Sequence, residues 1–296
     1  MGSIDGLELG RFGLYTFDFE FQPAARIRES VQELEEQGWR ELWIPELLGR
    51  DALTHAGFLL SGTERMRVVN GIAQIWSREA RWAYGAALLL ADAYPDRHVL
   101  GLGFGGGQGP GTKPLAAMTA YLDEMDAVQT PNPLPKTAVR RIMAAYGPKM
   151  LELARARTAG AQTYHVNVAH TVQAREILGP EAFLGVEHAV LFESDPGKAR
   201  AIAREHLHIY LNSPYNVAKF RRLGYTQEEI ASGSDRIVDD LVFWGDLDTI
   251  VDKLWAHVEA GADHVAVQVI GIEPGRSAMP YWRMLGEALL PTADNA

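Results

Sequence analysis

The chain has 296 residues, an apolar share of 47% and a formal net charge of −10. That length suits one α/β barrel or two average domains, and the apolar share supports a sizeable core. A pI near 5.4 without a basic run makes nucleic acid and anionic membranes poor partners, and the lack of cysteine excludes disulfides, thiol nucleophiles and thiolate metal sites.

Strand-like and helix-like patterns alternate along the chain. Phe12 to Phe17 reads as strand one, and Arg26 to Gln37 as a helix with Ile27, Val31 and Leu34 on one face and Gly38 at its end. Glu41 to Ile44 is strand two, followed by a helix over Ala52 to Leu60. Met66 to Ala73 is strand three, followed by a long helix over Arg78 to Ala93. His98 to Gly103 is strand four, and a helix over Pro114 to Val128 opens with proline. Arg140 to Ala145 is strand five, with a helix over Lys149 to Thr158. Ala161 to Val166 is strand six, with a short helix over Thr171 to Leu178. Phe183 to Phe192 is strand seven. A mostly helical stretch from Pro196 to Ala260 precedes strand eight, His264 to Ile270, and Tyr281 to Leu290 closes the chain.

Eight short, β-branched-rich strands, each followed by helix, argue for a single (β/α)8 TIM barrel over residues 1–296. A doubly wound sheet is the runner-up. Residues 196–245 read as a helical insertion between strands seven and eight. The longest apolar stretch, Ala86 to Ala91, is too short for a bilayer, and the N-terminus lacks an apolar signal core. A cytoplasmic protein is expected.

Reacting groups of a barrel lie at the carboxyl ends of its strands. Seven glycines fall between Gly101 and Gly111, just past strand four. Gly101, Gly103 and Gly106 have the spacing of a dinucleotide turn, but the next helix starts only near Pro114. The acids about twenty residues on lie inside that helix, so a flexible strand-end loop is the better reading.

Tyr146-Gly147-Pro148-Lys149-Met150 ends a strand and opens a helix. Its free N–H groups and the lysine suit a phosphate, and an ordinary turn with a solvated lysine is the alternative. Glu46, at the end of strand two, is a candidate acid, base or ring-orienting carboxylate, or a helix N-terminal acid. His165, at the end of strand six beside Tyr164, is a candidate catalytic group, although an isolated histidine is more often structural. Trp76, just past strand three, could wall a flat ring. The histidines show no metal-ligand spacing, and no serine-hydrolase elbow is present.

The segments Gly10–Thr16, Leu42–Glu46, Asn70–Trp76, Gly147–Leu151 and Gly261–Gln268, in this order, resemble the bacterial luciferase-like superfamily. Within it they resemble the coenzyme F420-dependent oxidoreductases. The resemblance implies a barrel holding F420, or FMN in sister groups, at its mouth. It further implies a cis peptide at Gly71-Ile72. Contacts to the cofactor would come from Thr16, Glu46, Gly71, Ile72, Ala73, Gly103, Tyr164 and the Tyr146–Met150 segment. The implied chemistry is hydride transfer to or from a small alcohol, carbonyl or activated alkene, often in a homodimer. An FMN-dependent monooxygenase is the alternative, and a non-catalytic cofactor-binding barrel is the reading of another class. Leu47 stands where relatives often carry histidine, and Gly105-Gly106 where they carry a Ser-His pair. Neither position supplies a proton donor.

Overall fold

A computed structural model describes residues 3–47, 49–105, 113–273 and 276–290. Its first half runs β1 (Phe12–Tyr15), α1 (Ala24–Glu36), β2 (Glu41–Ile44), α2 (Ala52–Ser61), β3 (Arg67–Asn70), β4 (Ala73–Gln74), α3 (Ala80–Ala93), β5 (His98–Gly103) and α4 (Pro114–Asp126). It continues through β6 (Arg140–Ala144), α5 (Pro148–Arg157), β7 (Gly160–Thr163), α6 (Val168–Leu178) and β8 (Phe183–Leu191). Four helices follow: α7 (Pro196–Leu211), α8 (Pro214–Arg222), α9 (Gln227–Ser232) and α10 (Asp235–Leu241). The last elements are β9 (Val242–Trp244), α11 (Leu247–Glu259), β10 (His264–Val269) and α12 (Met279–Leu289).

All wall pairings among the described residues are parallel. β1, β2, β3, β5, β6, β7 and β8 neighbour one another in chain order, and β10 pairs with both β1 and β8. Eight strands thereby close into a (β/α)8 barrel. Side chains alternate across the wall. Tyr15, Trp43, Val69, Val99, Ile142, Phe183 and Ala266 form an inner cluster with Ile4, Leu7 and Leu9. Their strand neighbours Leu14, Leu42, Val68, Leu100 and Val265 pack under the helices.

The helices form where their capping residues allow. Asp51, Asn167, Asp195 and Asp246 accept first-turn N–H groups of α2, α6, α7 and α11. Proline opens α4, α5, α7 and α8, where the missing N–H costs nothing. None of these helices is long and apolar enough to cross a membrane, among the described residues.

Three elements differ from the sequence expectation. Strand three divides into β3 and β4 around a cis Gly71–Ile72 peptide. Strand six ends at Thr163, because His165 takes a positive φ of 50° and turns the chain off the wall. The stretch expected to be helical from Pro196 to Ala260 contains β9, which pairs with Ala189–Leu191 of β8. β7 leaves that edge of β8 after Val186, and β9 takes it over. Three residues are too few to show a strand period in sequence. Helices α7–α10 build a small core of their own, with Leu207, Phe220, Ile230, Ile237 and Leu241 packed on Ala189 and Leu191 of β8.

Candidate functional site

The strand ends on the carboxyl side form one end of the barrel. Tyr15, from β1, donates its hydroxyl hydrogen to the carbonyl of Gly71 in the cis peptide. Thr16 is buried, and its hydroxyl accepts the Asp18 N–H at 3.0 Å, bracing the turn after β1. β5 passes directly beside the Asn70–Ile72 stretch, and two glycines permit the approach. A Cβ on Gly101 would lie 1.8 Å from the Asn70 carbonyl oxygen, and one on Gly103 would lie 2.5 Å from Ile72 Cδ1. Gly103 is therefore a packing residue inside β5, paired with Gln74. Ile72 fills the space its missing side chain leaves. Gly71 and Ala73 are buried and Ile72 half-buried. Residues 106–112, which carry the rest of the glycine run, lie outside the described residues.

Glu46 is engaged on both carboxylate oxygens. Arg78 donates to each of them and to Asp51 Oδ2 at 2.7 Å. The N–H groups of Gln74 and Ala52 add bonds to Glu46 at 2.7 and 3.4 Å. Burial alone would weaken the hold of Arg78 on its proton, but the hydrogen bonds and charges of Glu46 and Asp51 outweigh it and raise its pKa. A carboxylate spent this way holds β4 against the loop before α2. Both oxygens of Glu46, the candidate acid, base or ring-orienting carboxylate, are thus already held within the chain.

Trp76 is 40% exposed, and its ring is fixed by a 2.9 Å bond from Nε1–H to the Phe104 carbonyl. The two rings meet edge to face at 4.8 Å, and Phe104 stacks at 6.5 Å with Tyr215 of α8. Trp76 thus belongs to an aromatic wall that spans from β4 to the α7–α10 segment.

Gly147 caps α5 and Pro148 occupies its first turn, as the sequence predicts. Tyr146 and Met150 are half-buried, while Pro148 and Lys149 are exposed. The Tyr146 carbonyl is bonded to His170 Nε2 at 2.8 Å. Arg222, at the end of α8, reaches to 3.7 Å from where a Gly147 side chain would begin. Arg222 was not among the expected site residues, since nothing in a helical stretch marks which cation faces the barrel. Neither Lys149 nor Arg222 makes an ion pair or hydrogen bond within the described chain. Two cations therefore flank the α5 start, Lys149 in its first turn and Arg222 beside Gly147, while the Met150 and Leu151 N–H groups are already given to the Gly147 carbonyl.

Beside this spot lies a buried polar cluster. His165 is fully buried, and neither ring nitrogen has a hydrogen-bond partner. Burial first, then the neighbouring His206 and Lys219, holds it neutral, well below the usual histidine range. The ring of this candidate catalytic group is packed between Tyr164 and Tyr210. The backbone N–H of His165 instead serves Glu187 Oε2 at 3.1 Å. Glu187 stands in the middle of β8, its Oε1 unpartnered. Burial pushes its carboxyl up to about 8, against the His165 N–H and the charge of Lys219. Lys219 of α8 is 3% exposed, and Nζ donates to the Tyr164 carbonyl at 3.1 Å. Its ammonium lies over the rings of Tyr146 and Phe220, at 4.9 and 4.5 Å. Burial lowers it to about 7, with Glu187 acting the other way. Tyr164 joins Tyr210 at 2.9 Å and Gln268 at 3.3 Å through its hydroxyl. Glu187 had a signal in sequence, as an acid inside an otherwise apolar strand; Lys219 had none.

No cluster of three or more metal-ligating side chains occurs among the described residues. The luciferase-like monooxygenase family model matches residues 11–113. A Mycobacterium tuberculosis protein, provisionally described as a coenzyme F420-dependent oxidoreductase, is 32% identical over 125 residues. That match covers 40% of this chain and 34% of the relative's length. The coenzyme F420-dependent tetrahydromethanopterin reductase of Methanopyrus kandleri superposes with a TM-score of 0.70 at 17% identity, covering 96% of this chain and 99% of that one. An F420-dependent secondary alcohol dehydrogenase in complex with an F420–acetone adduct gives 0.73 at 14%, covering 95% and 98%. The FMN-bound oxygenating constituent of 3,6-diketocamphane monooxygenase from Pseudomonas putida gives 0.67 at 13%, covering 96% and 98%. Residues 11–113 thus match the luciferase-like monooxygenase family model, and the whole barrel shares the fold of these structures.

Proposed function

We propose that this chain is an F420-dependent oxidoreductase acting on a small organic alcohol, carbonyl or activated alkene, with a second copy of itself as partner. The observation that carries the cofactor assignment is the convergence of Lys149, Arg222 and the α5 N-terminus at the barrel mouth. In a chain of net charge −10, two cations without carboxylate partners at a helix start mark a place for an anion. F420 and FMN both carry a phosphate on a flexible tail, and both fit that donor set. The F420 assignment of the Mycobacterium tuberculosis relative favours the deazaflavin.

When bound, the deazaflavin supplies hydride to the substrate or takes it up. The chain holds the phosphate through Lys149, Arg222 and the Lys149 N–H at the start of α5. The wall of Trp76, Phe104 and Tyr215 offers apolar surface to a ring and keeps water from it. Glu46, through Arg78 and Gln74, fixes the β4 loop that carries Trp76.

A second reading is an FMN-dependent monooxygenase, favoured by the FMN-bound structural neighbour. Titrating the purified protein separately with F420 and with FMN, followed by cofactor fluorescence, tests both. Saturable F420 binding with weaker or no FMN binding supports the proposal, and the reverse order supports the monooxygenase. F420 binding without turnover across alcohols, carbonyls and enones leaves a cofactor-binding barrel. Binding of neither removes the assignment.

A further inference from the structure

We propose that Lys219, carried to the barrel mouth by α8, is the group that exchanges a proton with the substrate oxygen. This rests on the hydride-transfer assignment above.

The strand-end groups singled out in the sequence are committed elsewhere. Glu46 is neutralised by Arg78. The Tyr15 hydroxyl hydrogen goes to the Gly71 carbonyl, and the Tyr164 hydroxyl is bonded to Tyr210 and Gln268. Both nitrogens of His165 are sealed inside packed rings. Leu47 and Gly105 have no side-chain proton to give.

Lys219 is different. Its ammonium has three N–H donors, and the structure gives it one acceptor, the Tyr164 carbonyl. The aromatic rings of Tyr146 and Phe220 take up the space beside it, and no carboxylate among the described residues forms an ion pair with it. A buried cation with one hydrogen bond is under-satisfied, and an oxygen from a ligand would complete it. Its place is also suitable. Tyr146, under the ammonium, opens the Gly147–Lys149 segment proposed to hold the phosphate. Arg222 lies one turn further along the same face of α8.

The ionisable groups around it are Tyr146 from the β6–α5 loop, Tyr164 and His165 after β7, His170 on α6 and Glu187 on β8. Burial keeps both phenols and both imidazoles neutral. Glu187 alone can face the ammonium with charge, and it favours the protonated lysine. Together they leave Lys219 able to give and regain a proton near neutral pH.

In the reduction of a carbonyl, the C=O π bond breaks. The carbon takes a hydride from a reduced deazaflavin and the oxygen takes a proton from the Lys219 ammonium. The products are an alcohol, the oxidised cofactor and a neutral amine. The amine regains its proton through solvent, balanced by the one proton that oxidation of the cofactor releases.

The test uses the full chain, wild type and Lys219→Met, with F420, reduced F420, acetone and cyclohexenone. Met keeps the apolar stem and removes the charge. Lys219→Met is expected to bind F420 within about threefold of wild type and to lose about 100-fold or more in turnover. Wild-type reduction is expected to fall as pH rises through about 7, and that limb should vanish in the variant. A second readout needs no cofactor. In protein labelled with 13C at lysine Cε, the resonance missing from Lys219→Met should titrate near 7 rather than near the ordinary 10.5. Wild-type turnover by Lys219→Met, an unchanged pH profile, or a Cε titration at the ordinary value overturns the proposal. So does a wild-type protein that binds F420 but reduces neither substrate. A wild-type protein that binds no F420 overturns the hydride-transfer assignment and this proposal together.

Discussion

Replacing Gly101 with alanine tests how tightly β5 is fitted to the mouth. The added Cβ would stand 1.8 Å from the Asn70 carbonyl oxygen and 3.2 Å from Gln162 Oε1. A carbon and a carbonyl oxygen settle at about 3.3 Å or more, so the shortfall is roughly 1.5 Å. The atom in the way is backbone, so no rotamer change relieves it. β5 is itself fixed, with Gly101 in register with Ile142 of β6. Overpacking that side chains can absorb costs about 1–3 kcal/mol, and this one should exceed about 3 kcal/mol. Gly85→Ala is the control, because a Cβ there meets nothing within 4 Å in the middle of α3. It should gain about 0.5–1 kcal/mol from the better helix former. Urea unfolding followed by circular dichroism measures both, compared at equal slope. A Gly101→Ala protein within about 0.5 kcal/mol of wild type would refute the close-approach reasoning.

Glu46→Gln should lower stability by about 1–3 kcal/mol, because it leaves the nearly buried Arg78 with only Asp51 as a charged partner. Urea unfolding reads this, and an unchanged midpoint would return Glu46 to the list of free acids. Lys149→Ala and Arg222→Ala should each weaken F420 binding by about 1–3 kcal/mol without altering unfolding. Unchanged affinity in both would move the phosphate elsewhere. His98 is fully enclosed, bonded to Asn70 at 2.9 Å, and burial lowers its pKa to about 4 from 6.5. The folded state therefore holds this proton less well than the unfolded chain. The penalty is absent above pH 6.5, grows as pH falls and is complete near 4, at about 3 kcal/mol. His98→Gln should lose correspondingly less stability over that range, and equal losses would contradict the sign.

The barrel was legible because its strands are short apolar runs with helix caps between them. Each capped helix start, such as Asp51 before α2 or Pro148 in α5, could be read from one or two residues. The site was legible only where chemistry is local. Gly147-Pro148-Lys149 announces a helix N-terminus from its own residues. The Gly101 and Gly103 spacing resembled a phosphate turn, yet its glycines answer to Asn70 and Ile72, thirty-one residues earlier in each case. The surroundings of Glu46 and His165 were hidden from the sequence for the same reason. Their partners Arg78 and Tyr210 are remote in sequence, so no spacing rule could show that both side chains were already spent.

The same argument explains why the α7–α10 segment matters more than its sequence suggests. Tyr215, Lys219 and Arg222 follow one another at spacings of four and three, which places them on one face of α8. That face meets Phe104 beyond β5, the Tyr164 carbonyl beyond β7 and the Gly147 cap of α5. One helix thus reaches three strand ends whose own loops offer an aromatic ring, a carbonyl and a helix N-terminus. A cation on a strand would have needed a partner within the packed wall. Placed on a helix with its own small core, Lys219 and Arg222 reach the mouth from outside the barrel wall, where Glu187 of β8 is the buried acid that faces Lys219.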